Sequence, residues 1–126
     1  MTRTAVIIAI AAIFGLISVI AGAAGTHALR DALDAGALRT FETAARFQMY
    51  HALALLAVGI LSMHWQSRIL TVSAIFFTIG ILLFSGSLYI LALTGIGIFG
   101  AIAPVGGVCL MAGWASLIIA ALISRG

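Results

Sequence analysis

Three histidines, His27, His51 and His64, are the residues in this chain that first point to a haem or metal site. Axial haem ligands come from facing helices at one depth, and metal ligands must cluster in space. His27 instead lies at the end of the first apolar run, His51 lies deep inside the second, and His64 lies at the far end of the second. The sequence therefore predicts no haem, metal or other cofactor, and the lone Cys109 is expected to be a small packing residue.

The other polar side chains do not match the catalytic motifs of known enzyme classes. The chain has no Ser-His-Asp order, no paired carboxylates and no phosphate loop. Gly106-Gly107 lies inside an apolar run and is not a dinucleotide loop. Ser85 or Ser87 beside His51 would be the one nucleophile–base pair for an intramembrane hydrolase, and nothing in the sequence brings them together. A protein that is not an enzyme is the better prediction.

The stretch from Thr40 to Ala57 concentrates polar residues in an otherwise apolar chain. A charge in hydrocarbon costs several kcal/mol unless it is paired or hydrated. Glu42 and Arg46 have i,i+4 spacing with the acid first, which predicts an ion pair that Arg39 would join. The first interpretation is a salt-bridge cluster that fixes the second helix. The second is a site for an anion or a phospholipid head group, because two arginines exceed one glutamate and guanidinium matches phosphate.

Gln48 and His51 lie on a different face of the same helix. One interpretation is hydrogen bonding between helices, with Ser85, Ser87 or Tyr89 as partners. The other is a small polar pocket for a lipid head group, a quinone or a proton. The candidate set for this pocket or structural network consists of His27, Arg39, Glu42, Arg46, Gln48, Tyr50, His51, Ser85, Ser87 and Tyr89.

The composition shows what kind of element must position these residues. Hydrophobic residues make up 64% of the 126 residues and charged residues 7%, and the mean hydropathy is +1.32. This leaves room for about four spans of roughly 20 residues and none for a soluble catalytic domain. The six arginines are scattered, so no nucleic-acid surface is expected. The first apolar run imitates a secretory signal but continues to Ala24, long enough to span a bilayer.

We predict an all-α, integral membrane four-helix bundle that forms a single domain over residues 1–126. The helices are expected at about 4–25, 38–63, 69–93 and 104–123. A short amphipathic helix in the interface is expected at 26–38 and should end at Gly36. Residues 94–103 are expected to form a Gly-rich turn, with Pro104 opening the fourth helix. Arg125 should lie outside the bilayer.

Small residues recur at intervals of three, four or seven along three of the predicted helices. Such seams let backbones approach closely, which predicts a tight left-handed bundle with the second helix at its centre. The residues assigned to helix packing are Gly15, Ser18, Gly22, Gly25, Gly80, Gly106, Gly113 and Ser116.

Two pairs of sequence blocks carry a resemblance to a known family. The first pair is GAAGTHAL at residues 22–29 with FETAARFQMYHALALL at 41–56, and the second is LFSGSLYILAL at 83–93 with PVGGVCLMAGW at 104–114. They resemble the small bacterial inner-membrane proteins of the YgdD and YwdK type, a family of unknown function with eukaryotic relatives. The chain departs from the family pattern at Ala24, Thr26, Phe47 and Ala103. The resemblance implies a four-helix protein of the bacterial inner membrane and supplies no reaction.

Two functional hypotheses follow. The first is a non-enzymatic accessory protein, scaffold or assembly partner, with a homo-oligomer or a larger membrane complex and membrane lipid as its partners. The second is a small-molecule, lipid or quinone-binding protein, related to transport, that uses the polar pocket of the second helix. Both termini are expected in the cytoplasm. Arg39 and Arg46 lie on the opposite side, and pairing with Glu42 would reduce their effect on the orientation of the protein in the membrane.

Overall fold

The computed structural model describes residues 2–124, which form four α-helices joined by short connections. The helices are α1 (Arg3–Thr26), α2 (Ala35–Leu61), α3 (Arg68–Thr94) and α4 (Ile98–Ile123). At 1.5 Å per residue each is roughly 36–40 Å long, which exceeds the hydrocarbon core of about 30 Å. All four are long and apolar enough to cross a membrane. The prediction of an all-α membrane fold with four spans is confirmed, while the prediction for Arg125 lies outside the described residues.

Short side chains fix where three of the helices begin. Thr2 Oγ1 accepts from Ala5 N at the start of α1. Asp34 Oδ1 accepts from Ala37 N at 2.8 Å at the start of α2, and the Ser67 hydroxyl accepts from Ile69 N at the start of α3. These caps satisfy backbone N–H groups that have no partner within the helix. They explain why the polar connections stop where they do.

The connection between α1 and α2 is a series of turns over residues 27–34, not the short helix predicted for 26–38. Leu29 N donates to Ala24 O, and Leu33 N donates to Leu29 O. Gly36 lies in the first turn of α2 and does not end a helix, because the Asp34 cap starts α2 three residues earlier than predicted. The amphipathic residues therefore form a compact, turn-rich connection.

The fourth helix begins at Ile98, six residues before the predicted start at Pro104. The connection is only residues 95–97, and Gly95 ends α3 in the left-handed conformation at φ +72°. Pro104 stands inside α4, where it removes one intrahelical hydrogen bond. Membrane helices accept such a proline because neighbouring groups compensate for the lost bond. The apolar residues 98–103 thus extend the span and do not form a turn.

The helices pack in chain order. Helix α2 packs on both α1 and α3, α3 also packs on α4, and α1 and α4 are not packed side by side. Half of the most apolar stretch of α2 is buried, against 22% in both α1 and α4. Helix α2 thus lies between two neighbours, as predicted, and shares this central position with α3. The largest fully buried apolar side chains are Leu55, Val58, Leu70 and Phe77.

The small residues predicted for helix packing divide into two groups. A Cβ built on Gly80 would lie 2.9 Å from the Leu110 backbone N, and one on Gly113 would lie 2.6 Å from the Phe77 ring. Gly106, Gly25, Ser18 and Ser116 also lie at buried positions. Gly15 and Gly22 are different, since a Cβ on either would meet nothing within 4 Å. Neither glycine makes a close contact with another helix of this chain, so their assignment to helix packing stays a prediction.

The N-terminal end of α1 is held against the connection between α2 and α3. The Arg3 guanidinium donates to Ser67 O at 2.8 Å, to Thr71 Oγ1 at 3.2 Å and to Trp65 O at 3.3 Å. The hydroxyls of Thr4 and Ser62 lie 2.5 Å apart. These contacts tie three helices together at one end of the bundle.

Candidate functional site

The Gln48 side chain hydrogen-bonds two neighbouring helices in the polar interior. Its Nε2 donates to Phe14 O on α1 at 2.8 Å, and its Oε1 accepts from the Tyr89 hydroxyl on α3 at 2.8 Å. Gln48 is 2% exposed and lies near the midpoint of α2. One amide therefore connects three helices at the depth where water is least available.

His51 forms a second connection, from α2 to α4. Its Nδ1 lies 2.7 Å from Phe47 O, and its Nε2 lies 3.1 Å from Trp114 Nε1. Because an indole N–H can only donate, Nε2 must accept, and the proton of the neutral ring is on Nδ1. The Trp114 ring meets both His51 and Phe77 edge-on. Both ring nitrogens are occupied, so His51 has no lone pair left for a metal or a substrate in this arrangement.

Two of the buried serines bond to backbone carbonyls and not to Gln48 or His51. Ser85 donates to Ala44 O at 2.8 Å, and Ser18 donates to Ala45 O at 2.7 Å. Ser85 and Ser87 were both predicted partners of Gln48 or His51. Neither contacts them through a hydrogen bond, and only Tyr89 of the predicted partners does. Across residues 2–124, no fully buried side-chain nitrogen or oxygen lacks a hydrogen-bond partner.

The charged residues of α2 lie outside this network. Arg39, Glu42 and Arg46 are all exposed. The predicted Glu42–Arg46 ion pair is wrong for this structure, because no ion pair within 4.0 Å is formed among residues 2–124. Both side chains are on the uncovered surface of α2, where no packing holds them in one geometry, so the i,i+4 spacing alone does not bring the two charges together.

Two further candidates also lie apart from the interior. His27 is exposed and caps α1 through its backbone N–H, which donates to Ala23 O. Tyr50 is 52% exposed on the outer side of α2, with its ring centroid 5.7 Å from that of Phe47. The ten candidates therefore do not form one pocket. They separate into an interior network and an outer set.

Three open spaces in the described part of the molecule lie between helices. A groove of about 350 Å³ runs between α1 and α2, and its lining residues are Ser18, Gly22, Thr26, Glu42, Ala45, Arg46 and Met49. A largely apolar groove of about 370 Å³ separates α1 from α3, with Arg3 at one end. A smaller space of about 180 Å³ lies beside Gln48 and Tyr89. The α1–α2 groove is the one of these three that contains both an acid and a base.

No group of three or more His, Cys, Asp or Glu residues that could hold a metal ion occurs in the described part of the chain. His27 and His64 are exposed at opposite ends of the bundle, whereas His51 is buried within it. The structure therefore does not bring the histidines together.

Sequence reasoning missed the partner of His51. Trp114 is not among the partners predicted for His51 from the sequence. A signal was present, because an indole N–H within a span needs an acceptor and His51 is the buried residue best able to supply one. Gly59 was missed as well, although a Cβ there would lie 2.8 Å from Ile8 Cγ1.

Four spanning helices around a saturated polar interior define an integral membrane protein. The family model "Protein of unknown function (DUF423)" matches residues 21–107, more than half of the chain, and the chain belongs to this family. A UPF0382 membrane protein of Staphylococcus saprophyticus is 46% identical over 114 residues, which cover 90% of this chain and 94% of the relative. The UPF0382 inner membrane protein YgdD of Escherichia coli K12 is 38% identical over 112 residues, 89% and 86% of the two chains.

These relatives confirm the resemblance found in the sequence blocks and the assignment to an uncharacterised family of membrane proteins. No solved structure gives a significant match.

Proposed function

We propose that this protein is a non-enzymatic accessory or scaffold protein of the bacterial inner membrane. The observation that carries the proposal is that every fully buried side-chain nitrogen and oxygen among residues 2–124 has a hydrogen-bond partner. An enzyme or carrier that worked through the interior would need polar atoms free to meet a substrate. Gln48 and His51 instead bind neighbouring helices, which is how polar residues stabilise membrane bundles.

The outer surfaces of α1 and α4 are the least buried in the bundle, and that of α4 is the one we propose for a protein partner. Helix α4 packs mainly on α3, and its remaining faces are apolar and exposed. The exposed large side chains of α4 are Ile98, Val105, Val108, Met111, Trp114, Ile118, Ile119, Leu122 and Ile123. In a bilayer such a surface meets either lipid or another helix. A second copy of this chain or another membrane protein is the partner that the scaffold proposal requires.

Photo-crosslinking in intact membranes tests the scaffold. A photoreactive amino acid at Met111 or Ile118 on α4 is expected to give one discrete protein adduct, while the same group at Leu53 on α2 gives none. All three side chains are between 57% and 64% exposed, so Leu53 is a matched control. An adduct of twice the chain mass identifies a homo-oligomer, and any other single mass identifies a different protein. Lipid adducts alone at all three positions would exclude a stable protein partner on α4.

We also propose that both termini are cytoplasmic. Arg3 and Arg68 lie at the end of the bundle that holds the N-terminus and the α2–α3 connection. At the other end only Arg30 and Arg39 lie near a helix end, because Arg46 stands well inside α2. With Arg125 counted from the sequence, the terminal side has three arginines against two. The positive-inside rule favours that side as cytoplasmic, on an argument independent of the Glu42 pairing.

Cysteine labelling tests this topology in a Cys109→Ala background. Ala28→Cys and Gln66→Cys place single exposed thiols on opposite sides of the bundle. A membrane-impermeant maleimide is expected to label position 28 in cells with a permeabilised outer membrane, and position 66 only after the inner membrane is opened. The reverse labelling pattern would place the termini outside.

Lipid binding is the second candidate function, and the charged α1–α2 groove is the observation that favours it. It needs no free polar group in the interior, so it is compatible with a saturated network. A quinone or proton site has no such support, because it would use Gln48 and His51, whose polar atoms already bond neighbouring helices.

A further inference from the structure

We propose that the α1–α2 groove binds the head group of an aminophospholipid, with Arg46 on the phosphate and Glu42 on the primary ammonium. The proposal names the ligand class for the second candidate function and is independent of the scaffold on α4. It starts from two opposite charges, one helical turn apart, that line one groove and form no ion pair with any residue among 2–124.

The depth of Arg46 makes a partner necessary. Arg46 follows Ala35 by eleven residues and precedes Leu61 by fifteen, so its Cα is roughly 16 Å and 22 Å from the two ends of α2. A hydrocarbon core of about 30 Å crossed by α2 therefore contains this position. An arginine there draws in water or head groups, or finds an anion, to lower its cost.

The side-chain direction brings this charge toward the lipid head groups. Because side chains on an α-helix point back toward its N-terminus, the Arg46 guanidinium is expected nearer to the outer end of α2 than its own Cα is. Glu42 itself is one turn closer to that end. The two charges are thus ordered along the groove, with the base deeper and the acid nearer the aqueous surface.

The groove floor has room for a ligand because its side chains are small. Gly22 is open, since a Cβ there would meet nothing within 4 Å. The Ser18 hydroxyl is turned onto Ala45 O and the Thr26 hydroxyl onto Gly22 O, so neither projects a free donor into the space. The free polar chemistry of the groove therefore comes from Glu42 and Arg46.

The order of charges selects one class of phospholipid. A guanidinium binds phosphate oxygens through parallel N–H bonds, and in a membrane the phosphate lies nearer the acyl chains than an ethanolamine ammonium does. A carboxylate accepts hydrogen bonds from that ammonium, whereas a choline head has no N–H to donate. An anionic head group of glycerol type would leave Glu42 unpaired and repelled. The zwitterionic amine lipid neutralises both charges at once.

Lipid retention by the purified full-length chain tests the charge assignment. The protein is reconstituted in vesicles of equal parts phosphatidylethanolamine, phosphatidylcholine and phosphatidylglycerol, then extracted in mild detergent and analysed by native mass spectrometry. Phosphatidylethanolamine is expected to be retained preferentially. Arg46→Gln and Glu42→Gln should each lower its retention roughly tenfold, as for loss of one charge-assisted hydrogen bond. Arg39→Gln is the matched control, exposed on the same helix but outside the groove.

A steric pair of variants tests the location. Gly22→Leu fills the groove, and Gly15→Leu adds the same side chain to α1 at another open position. Gly22→Leu should lose the lipid while both variants keep the wild-type melting temperature, which separates blocked binding from unfolding. Equal retention by Gly22→Leu and Gly15→Leu would overturn the site.

Other outcomes would overturn the choice of ligand. Preferential retention of phosphatidylglycerol, weakened by Arg46→Gln and strengthened by Glu42→Gln, would mean an anionic head group. A dimer that Arg46→Gln dissociates, with no lipid retained by the wild type, would mean that a second copy supplies the opposite charges. Neither result bears on crosslinking from α4, so failure of this site and failure of the scaffold are distinguishable.

Discussion

Gly106→Ala is expected to separate α3 from α4 and to lower the free energy of unfolding by about 2–3 kcal/mol, the upper part of the range for overpacking. An added Cβ would be 2.8 Å from Phe84 Cα and 2.7 Å from the Leu83 carbonyl carbon, and it would press on the Phe84 backbone nitrogen. All three atoms are backbone, so no rotamer change relieves the contact. The α3–α4 interface is the most extensive helix pairing in the molecule, and any shift there moves the whole of α4.

Gly107→Ala is the matched control for this prediction. A Cβ at Gly107 would lie 3.7 Å from the Phe84 ring, an ordinary van der Waals contact. Alanine is a better helix former than glycine by about 1 kcal/mol, so this variant should be neutral or slightly stabilised. Thermal unfolding in one detergent, followed by loss of the monodisperse elution peak, compares the two. Similar melting temperatures for the adjacent variants would show that α4 does not approach α3 at Gly106.

The spans were predictable because they depend on composition and length, which the sequence states directly. The helix ends were less predictable, since they depend on local hydrogen bonds. Pro104 looked like a helix start because proline suits that position, yet membrane helices also accept proline inside a span. Asp34 acts as the cap of α2, and its effect on the start of that helix was overlooked.

The glycine seams show a different limit. Intervals of three and four residues identify one face of a helix, but they do not say whether another helix covers it. Gly80 and Gly113 meet α4 and α3, whereas Gly15 and Gly22 on α1 meet nothing within 4 Å. Gly22 lines the open groove between α1 and α2, so its small size does not lead to a close helix contact there. That arrangement belongs to the whole chain and is not encoded in the spacing along α1.

The polar residues were identified correctly as a group, but their pairing was predicted only in part. Gln48 and Tyr89 do bond, as their positions on α2 and α3 allowed. His51 bonds Trp114, a contact that requires knowing which face of α4 lies toward α2. The Glu42–Arg46 pair was predicted from a rule for isolated helices. Both side chains line an open groove, so no neighbouring side chain presses them together. Buried polar groups are thus satisfied by the fold, and exposed ones remain available to ligands.

Gln48→Leu is expected to destabilise the protein by about 2–3 kcal/mol, because it removes two buried hydrogen bonds and leaves the Tyr89 hydroxyl without its partner. Leucine fills a similar volume, so packing loss contributes little. Tyr89→Phe removes only the shared bond and is expected to cost about 1 kcal/mol. Unfolding free energies of both variants, measured in the same detergent, give the two values.

The double variant decides whether Gln48 acts through Tyr89. With Tyr89→Phe present, Gln48→Leu no longer leaves a hydroxyl unpaired, so the combined cost should be smaller than the sum by 0.5 kcal/mol or more, roughly the threshold at which neighbouring sites depart from additivity. Additive costs would mean that the two side chains do not share a hydrogen bond within the membrane. A cost for Gln48→Leu below about 0.5 kcal/mol would mean that the bond to Phe14 O is also dispensable. In that case packing alone, and not the central amide, would hold α1 and α3 to α2.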